Sequence, residues 1–371
     1  MELEIVERLC RRFPDHPAMK LGPGDDAAIL ELAGSSPEIV VSTDLLTEGV
    51  DFLLARMNPR KIGRKALAVN LSDLAAMAAE PVACVISVAL PKQAVFPKIS
   101  DLPAVSASSP GAAPDWIFLP KNQIPTGKGV PELMERLCDG FLEAVSDAAR
   151  GLPNSDSCPI PIAIAGGDTN TWDGPLVLSV TVIGRVKGKP LCRSQARIGD
   201  AIFVTGPLGG SILRRQFEFT PRIQEMLALN ETFELHAGMD VSDGLTLDLA
   251  RLCRQSHCGA ELFLDEIPIS EDAGRLARLN CAVSEEFDWI PQKFASKTPL
   301  EHALGDGEDF EILFTAPWEE TAKITANPLK IPIFRIGRIV EGTGLTGVRK
   351  TETGECREAL PITGFQHSDE A

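Results

Sequence analysis

Val82 to Leu90 is a near-continuous apolar run of strand length, and it follows a stretch of strong helix formers at 59–79 that opens on Pro59. A strand that is apolar on both faces needs cover on both, which is the situation of a buried strand in an α/β sheet. The alternation repeats along the chain. Strand signals at Ala27 to Leu32, Ile39 to Val41, Ile160 to Ala165, Leu176 to Val186, Ala201 to Val204, Ala260 to Leu264, Glu311 to Thr315 and Ile333 to Val340 are interleaved with helical periodicity at 2–13, 131–150 and 245–253. The predicted fold class is α/β (α+β).

The length of 371 residues exceeds one ordinary hydrophobic core, and the Lys, Arg and Gly-rich loop at 187–200 is the best boundary between two domains. The expected organisation is an N-terminal domain at 1–190 and a C-terminal domain at 191–371. Seven prolines between Pro91 and Pro125 mark 91–130 as an inserted segment, either exposed or folded over a ligand through Trp116 to Leu119. A net charge of -16 repels phosphate backbones and anionic lipid, so nucleic acid and membrane are poor partners. No run approaches the ~18 apolar residues of a membrane helix. The nine cysteines contain no C-x-x-C pair, and Cys253, His257 and Cys258 form the closest group of soft ligands. Free thiols and an opening without a signal peptide favour the cytoplasm.

Six aspartates recur beside Gly, Ser or Thr: Asp26, Asp44, Asp73, Asp168, Asp240 and Asp243. Asp73 falls inside the 59–79 helix, three residues from Asn70 on the same face, and the other five fall at predicted strand ends or helix starts. Each alone reads equally as a turn or cap. Together they read as carboxylates gathered at one edge of an α/β sheet, where ligands bind. Neighbouring carboxylates about 4 Å apart repel by about 4 kcal/mol at an effective dielectric of ~20, so cations are required. Hard oxygen donors without His or Cys suit Mg²⁺ shared with nucleotide phosphates. There is no G-x-x-x-x-G-K-[ST], no H-R-D and no D-F-G. Gly342 to Gly347 satisfies G-x-G-x-x-G but lacks a following helix and reads as a hairpin. Gly206 to Ser211 follows a strand and is either a tight turn or a phosphate cradle. Arg193 and Glu308 are further candidates, for a phosphate and for a substrate amine or hydroxyl.

In chain order, G-P-G-D-D-A-A, S-T-D-L-L-T-E-G-V, K-A-L-A-V-N-L-S-D-L-A-A-M, A-G-G-D-T, R-S-Q-A-R-I-G-D, D-V-S-D-G-L and G-E-D-F-E resemble the thiamine-monophosphate kinase family, over about residues 20 to 340. The wider group includes aminoimidazole ribonucleotide synthase and selenophosphate synthetase. The resemblance implies an aminoimidazole ribonucleotide synthase-like fold in two domains: a mixed sheet with helices that binds ATP and Mg²⁺, then a C-terminal α/β domain. It also implies a homodimer, and transfer of the γ-phosphoryl of ATP to thiamine monophosphate with several Mg²⁺ ions and no covalent nucleophile. Matched position by position, Asp26, Ser42, Thr43, Asp44, Asp73, Asp168, Asp240 and Asp243 are metal ligands. Gly167, Asp168, Arg193 and Ser242 contact ATP. Glu308 and Phe365 contact the acceptor, as does the position of Asp51, where the family carries histidine. Asp306 is a second departure, and together they leave open a related phosphotransferase with another acceptor. A non-catalytic nucleotide-binding homologue is the third reading.

Overall fold

The computed structural model describes residues 19–21, 29–30, 39–96, 127–150, 162–186, 188–279, 294, 296–326, 329 and 331–365. The predicted helix at 2–13, Asp26, and 97–126 of the proline-rich segment lie outside the described residues. The chain forms two units, Met1–Leu71 with Pro81–Val186, and Ser72–Glu80 with Lys187–Ala371.

In the first unit β1 (Met19–Leu21) pairs antiparallel with β2 (Ile29–Leu30). They are followed by β3 (Ile39–Thr47), α1 (Pro59–Ala76), β4 (Ala79–Pro91), β5 (Val95–Phe96), β6 (Gly127–Lys128), α2 (Val130–Ala149), β7 (Ala163–Trp172) and β8 (Val177–Val186). Four of these strands make a mixed sheet in the order β3–β8–β4–β7. β3 runs antiparallel to β8, from Ile39 opposite Arg185 to Thr47 opposite Val177, and β4 runs parallel to β7. α2 buries Leu133, Leu137, Phe141, Val145 and Ala148, the face its 3.6-residue periodicity predicts. Gly63 and Gly140 let α1 and α2 touch backbone to backbone. A Cβ at Gly140 would lie 1.9 Å from the Arg60 carbonyl oxygen, and one at Gly63 would lie 2.3 Å from that of Leu137. Arg60 to Glu143 at 2.6 Å and Arg64 to Asp147 at 2.9 Å flank the crossing.

The second unit contains the last turn of α1 and the first two residues of β4. Its further elements are β9 (Ala201–Val204), α3 (Arg215–Glu218), α4 (Ile223–Thr232), β10 (Gly238–Asp240), α5 (Leu245–Gln255), β11 (Gly259–Phe263), α6 (Glu271–Leu276) and α7 (Pro299–Gly305). β12 (Ile312–Ala316), α8 (Thr321–Thr325), β13 (Phe334–Val340), β14 (Leu345–Thr351) and β15 (Gly354–Ala359) complete it. Its seven-stranded sheet has the order β10–β12–β9–β13–β11–β14–β15. Ile202, Val204, Met239, Leu245, Leu249, Leu262, Leu313 and Ile336 meet in one core.

Three local expectations are corrected. Asp44 and Asp168 sit within β3 and β7 rather than at strand ends, because each strand keeps its pairing past the aspartate. Gly342 to Gly347 is not a hairpin: β13 and β14 lie on opposite sides of β11, antiparallel and parallel to it, so the glycine turn spans a whole strand. The hairpin is the next one, β14 with β15.

Candidate active site

In the second unit, β10 pairs with β12 and delivers Asp240 at its end, opposite Ile312. Asp240 is 3% exposed, and its Oδ2 accepts a hydrogen bond from Ser72 Oγ at 2.8 Å. Burial, then the charge of Asp73, hold its pKa well above the usual carboxylate range, against the pull of Ser72 and of Arg193. A cation placed beside such a carboxyl favours its charged form. After Asp240 the chain turns through Val241 to Gly244, where φ of +118° at Gly244 admits only glycine without strain, and α5 begins. Asp248 on α5 is fully buried and turns back: its Oδ2 accepts from the backbone N–H of Asp243 at 2.9 Å and of Gly244 at 3.1 Å. Arg251, one turn on, bonds Asp243 Oδ2 and also Asp248 Oδ1 at 3.0 Å. Burial raises the Asp248 pKa to about 6. Burial works against the Arg251 guanidinium, yet Asp243 and Asp248 outweigh it and raise its pKa.

The segment 305–310 is strapped to this turn. Glu308 and Phe310 both hold positive φ, +56° and +50°, a strained state for residues other than glycine. Backbone hydrogen bonds secure them: Glu308 N–H to the Ser242 carbonyl at 2.6 Å, and Phe310 N–H to that of Val241 at 2.9 Å. The Phe310 ring stacks on Phe219 with centroids 4.2 Å apart. The C-terminal strap approaches from another side, where Phe365 N–H donates to the Asp243 carbonyl at 2.9 Å and Thr246 Oγ1 donates to that of Thr363 at 2.8 Å. Asp240, Ser242, Asp243, Glu308 and the exposed Phe365 therefore belong to one connected constellation, with Ser72 and Asp73 alongside.

Gly206 to Ser211 is the tight turn, not the cradle. Gly209 N–H donates to the Asp309 carboxylate at 2.9 Å, and Gly210 N–H donates to Asp306 Oδ2 at 3.0 Å. Those donors are spent on buried carboxylates rather than offered to a phosphate. Asp306 also accepts from Lys297 Nζ and pairs with His302 Nδ1, each at 2.8 Å. Burial pushes the Asp309 pKa up to about 7 against the pull of Arg215. The Cys253 and Cys258 thiols are raised by burial, which suits apolar packing better than metal ligation.

In the first unit, Ser42 and Asp44 share the half-buried face of β3, while Thr43 points to the other face. There Thr43 Oγ1 donates to the Val180 carbonyl at 3.1 Å and accepts from Thr181 Oγ1 at 3.0 Å. Asp44 N–H donates to Asn70 Oδ1 at 2.9 Å, and the buried Asn70 is fixed by its own bond to the Ala66 carbonyl at 3.0 Å. Asp168 is exposed on β7 beside Gly167, where a Cβ would lie 1.6 Å from the Ile86 carbonyl oxygen. Asp51 closes its own turn: Oδ2 accepts from Thr47 N–H at 2.7 Å, and its carbonyl accepts from the buried Lys65 Nζ at 3.1 Å.

Among the described residues no three His, Cys, Asp or Glu side chains are already drawn together as a metal cluster. Sequence reasoning missed Ser72, Asp248 and Arg251 as members of the site. The i, i+3 pair of Asp248 and Arg251 just after Asp243 was the available signal.

Residues 24–99 match the family AIR synthase related protein, N-terminal domain, and residues 197–350 match AIR synthase related protein, C-terminal domain. The thiamine-monophosphate kinase of Rhodopirellula baltica is 34% identical over 375 residues, spanning 100% of this chain and 98% of that protein. The crystal structure of thiamine-monophosphate kinase from Stenotrophomonas maltophilia K279a superposes with a TM-score of 0.66 at 30% identity, over 92% of this chain and 95% of that one. AaThiL complexed with AMPPCP and TMP shares the fold, with a TM-score of 0.61 at 24% identity over 89% of this chain and 87% of that one. With the constellation of Asp240, Asp243 and Glu308 in place on that fold, this chain belongs to the thiamine-monophosphate kinase family.

Proposed function

We infer that this protein is a thiamine-monophosphate kinase, transferring the γ-phosphoryl group of ATP to thiamine monophosphate to give thiamine diphosphate and ADP. The observation that carries this reading is the strapping of the Glu308 segment onto the Asp240 to Asp243 turn, which joins an acceptor-side carboxylate to metal-side carboxylates within one unit. The 34% identity with a thiamine-monophosphate kinase over the full chain points the same way. A fold relative bears AMPPCP and TMP together.

The donor set fits Mg²⁺. All its candidates are hard oxygens, and burial and the Asp73 charge, which together outweigh Ser72 and Arg193 at Asp240, are what a bound cation would offset. Mg²⁺ held by these carboxylates would offset the charge that develops on the phosphates during transfer. We assign the second unit's ligands to Asp73, Asp240 and Asp243. The first unit's are Ser42, Asp44 and Asp168, with Asp26, while Thr43 is left its backbone. Gly167, Arg193 and Ser242 are assigned to ATP. Glu308 offers its carboxylate to the cationic thiazolium of the acceptor, and Phe365 its ring. Positioning and electrostatics then supply the catalysis without a covalent intermediate.

A homodimer is the proposed assembly. Ile39, Val41 and Leu45 are 52%, 60% and 63% exposed on one face of β3, an apolar stripe suited to a second copy. Buried thiols at Cys84, Cys253 and Cys258 fit a reducing, cytoplasmic setting. No helix among the described residues is long and apolar enough to cross a membrane.

The test incubates the purified protein with Mg-ATP and thiamine monophosphate and measures thiamine diphosphate by mass spectrometry, with Asp44→Asn as control. Product from the wild type and at least a hundredfold less from the variant is the expected result. ATP binding without thiamine diphosphate would overturn the acceptor assignment.

A further inference from the structure

We propose that Asp248 and Arg251 are positioning residues that orient the Asp243 carboxylate for a divalent cation. The inference rests on the preceding reading of Asp243 as a metal ligand. Asp248 is fully buried with both oxygens engaged, Oδ2 by the N–H groups of Asp243 and Gly244 and Oδ1 by Arg251, so it is not itself a ligand. Its hold on two consecutive N–H groups fixes the turn from which the Asp243 side chain leaves. Arg251 fixes the side chain itself, by bonding Oδ2. With Oδ2 held, Oδ1 is the oxygen we assign to an incoming cation, and the Asp243 side chain keeps 28% of its surface exposed.

Charge supports the same assignment. The charge of Asp248 works against ionisation of Asp240, that of Asp243 works against ionisation of Asp248, and Arg251 is the cation set between Asp243 and Asp248. Its one positive charge is shared by two carboxylates, Asp243 more closely than Asp248, so the pair keeps a net negative charge beside the position proposed for the metal. This is the logic of a metal site's outer shell, where groups that never touch the ion set the orientation of those that do. The opposite role is a competitor, in which Arg251 blocks Asp243 and must be displaced.

The experiment titrates Mn²⁺ into wild type, Arg251→Ala, Arg251→Lys and Asp248→Asn, counting free ion by electron paramagnetic resonance, with thermal melts and thiamine diphosphate formation measured in parallel. Arg251→Ala and Asp248→Asn are expected to weaken Mn²⁺ binding at least tenfold while still melting cooperatively. Arg251→Lys, which keeps a donor to Asp243, is expected to recover part of that loss. Wild-type affinity in Arg251→Ala, or tighter binding as competition demands, would overturn the proposal. A melting defect in Arg251→Ala that Arg251→Lys repairs without repairing Mn²⁺ affinity would reduce both residues to a fold role. If the wild type neither binds Mn²⁺ nor makes thiamine diphosphate, the kinase reading fails; if it does both and the variants match it, only the positioning role fails.

Discussion

Asp309 should make this protein less stable as the pH rises from 5 to 8, and Asp309→Asn should remove that loss. The carboxyl is fully buried and has its pKa raised by burial from 3.8 to about 7. In the unfolded chain it returns to the ordinary value, so between those two pH values the folded state binds more protons than the unfolded one. The stabilisation from its proton is therefore fully present below about pH 4 and lost as pH rises to about 7. A rise of about three pH units corresponds to about 4 kcal/mol, of which roughly 2–3 kcal/mol falls between pH 5 and 8. Asparagine imitates the protonated acid and keeps an oxygen for the Gly209 N–H. At a few degrees per kcal/mol for a unit of this size, the Tm of the variant relative to wild type should rise by roughly 5–10 °C over that range. Differential scanning fluorimetry of both proteins at half-unit pH steps reads it directly. Asp240 and Asp248 also have raised pKa values and tilt both curves alike, so only the difference between the proteins is diagnostic. Parallel curves would refute the reasoning and mean that Arg215 keeps Asp309 ionised throughout.

Gly140→Ala should destabilise the first unit by about 1–3 kcal/mol or more, seen as a lower melting temperature, because a Cβ would meet the Arg60 carbonyl at 1.9 Å where two helix backbones touch. Ser72→Ala removes the hydroxyl that bonds Asp240 at 2.8 Å, and a hydrogen bond to a charged group is worth ~1.5–3 kcal/mol. The Mg²⁺ concentration giving half-maximal turnover should rise about tenfold or more. Val41→Asp places a carboxylate on a side chain that is 60% exposed in an apolar stripe. Sedimentation equilibrium should then report monomer for the variant, against the dimer proposed for the wild type.

Elements whose signal is local were legible. Ala201–Val204 was read residue for residue, and α2 and α5 came within two residues, because apolar periodicity and a Pro or Gly at the start are written in the segment itself. Pairing was less legible. A hairpin and a connection that spans an intervening strand carry the same Gly-x-Gly-x-x-Gly punctuation, so Gly342 to Gly347 did not reveal that β11 lies between β13 and β14. Strand ends fail likewise, since β3 continues past Asp44 only because β8 is there to pair with it. At the site, chain order and residue type carried the aspartates, while Asp248 looked like an ordinary helix residue until the direction of its side chain was known.

Asp51 and Asp306 make the same point from the opposite side. As letters in a sequence they are two extra carboxylates where the family has histidine and glycine, and they motivate a different acceptor. In the structure each has a local occupation. Asp51 takes the Thr47 N–H and closes the turn after β3, with Lys65 buried beneath it on the Asp51 carbonyl. Asp306 is nearly inaccessible and bonded to Lys297, His302 and the Gly210 N–H. A buried carboxylate with three donors is satisfied, and withdrawing it to meet a substrate would strand Lys297 and His302 without their partner. Its effect on the acceptor is through the backbone: by tying α7 to the Gly209–Gly210 turn it fixes the start of the segment that holds Glu308 at positive φ. The carboxylate at Asp306 is thus accounted for by the fold of its own segment, and the expected acceptor stays the one named for the relatives that this chain matches.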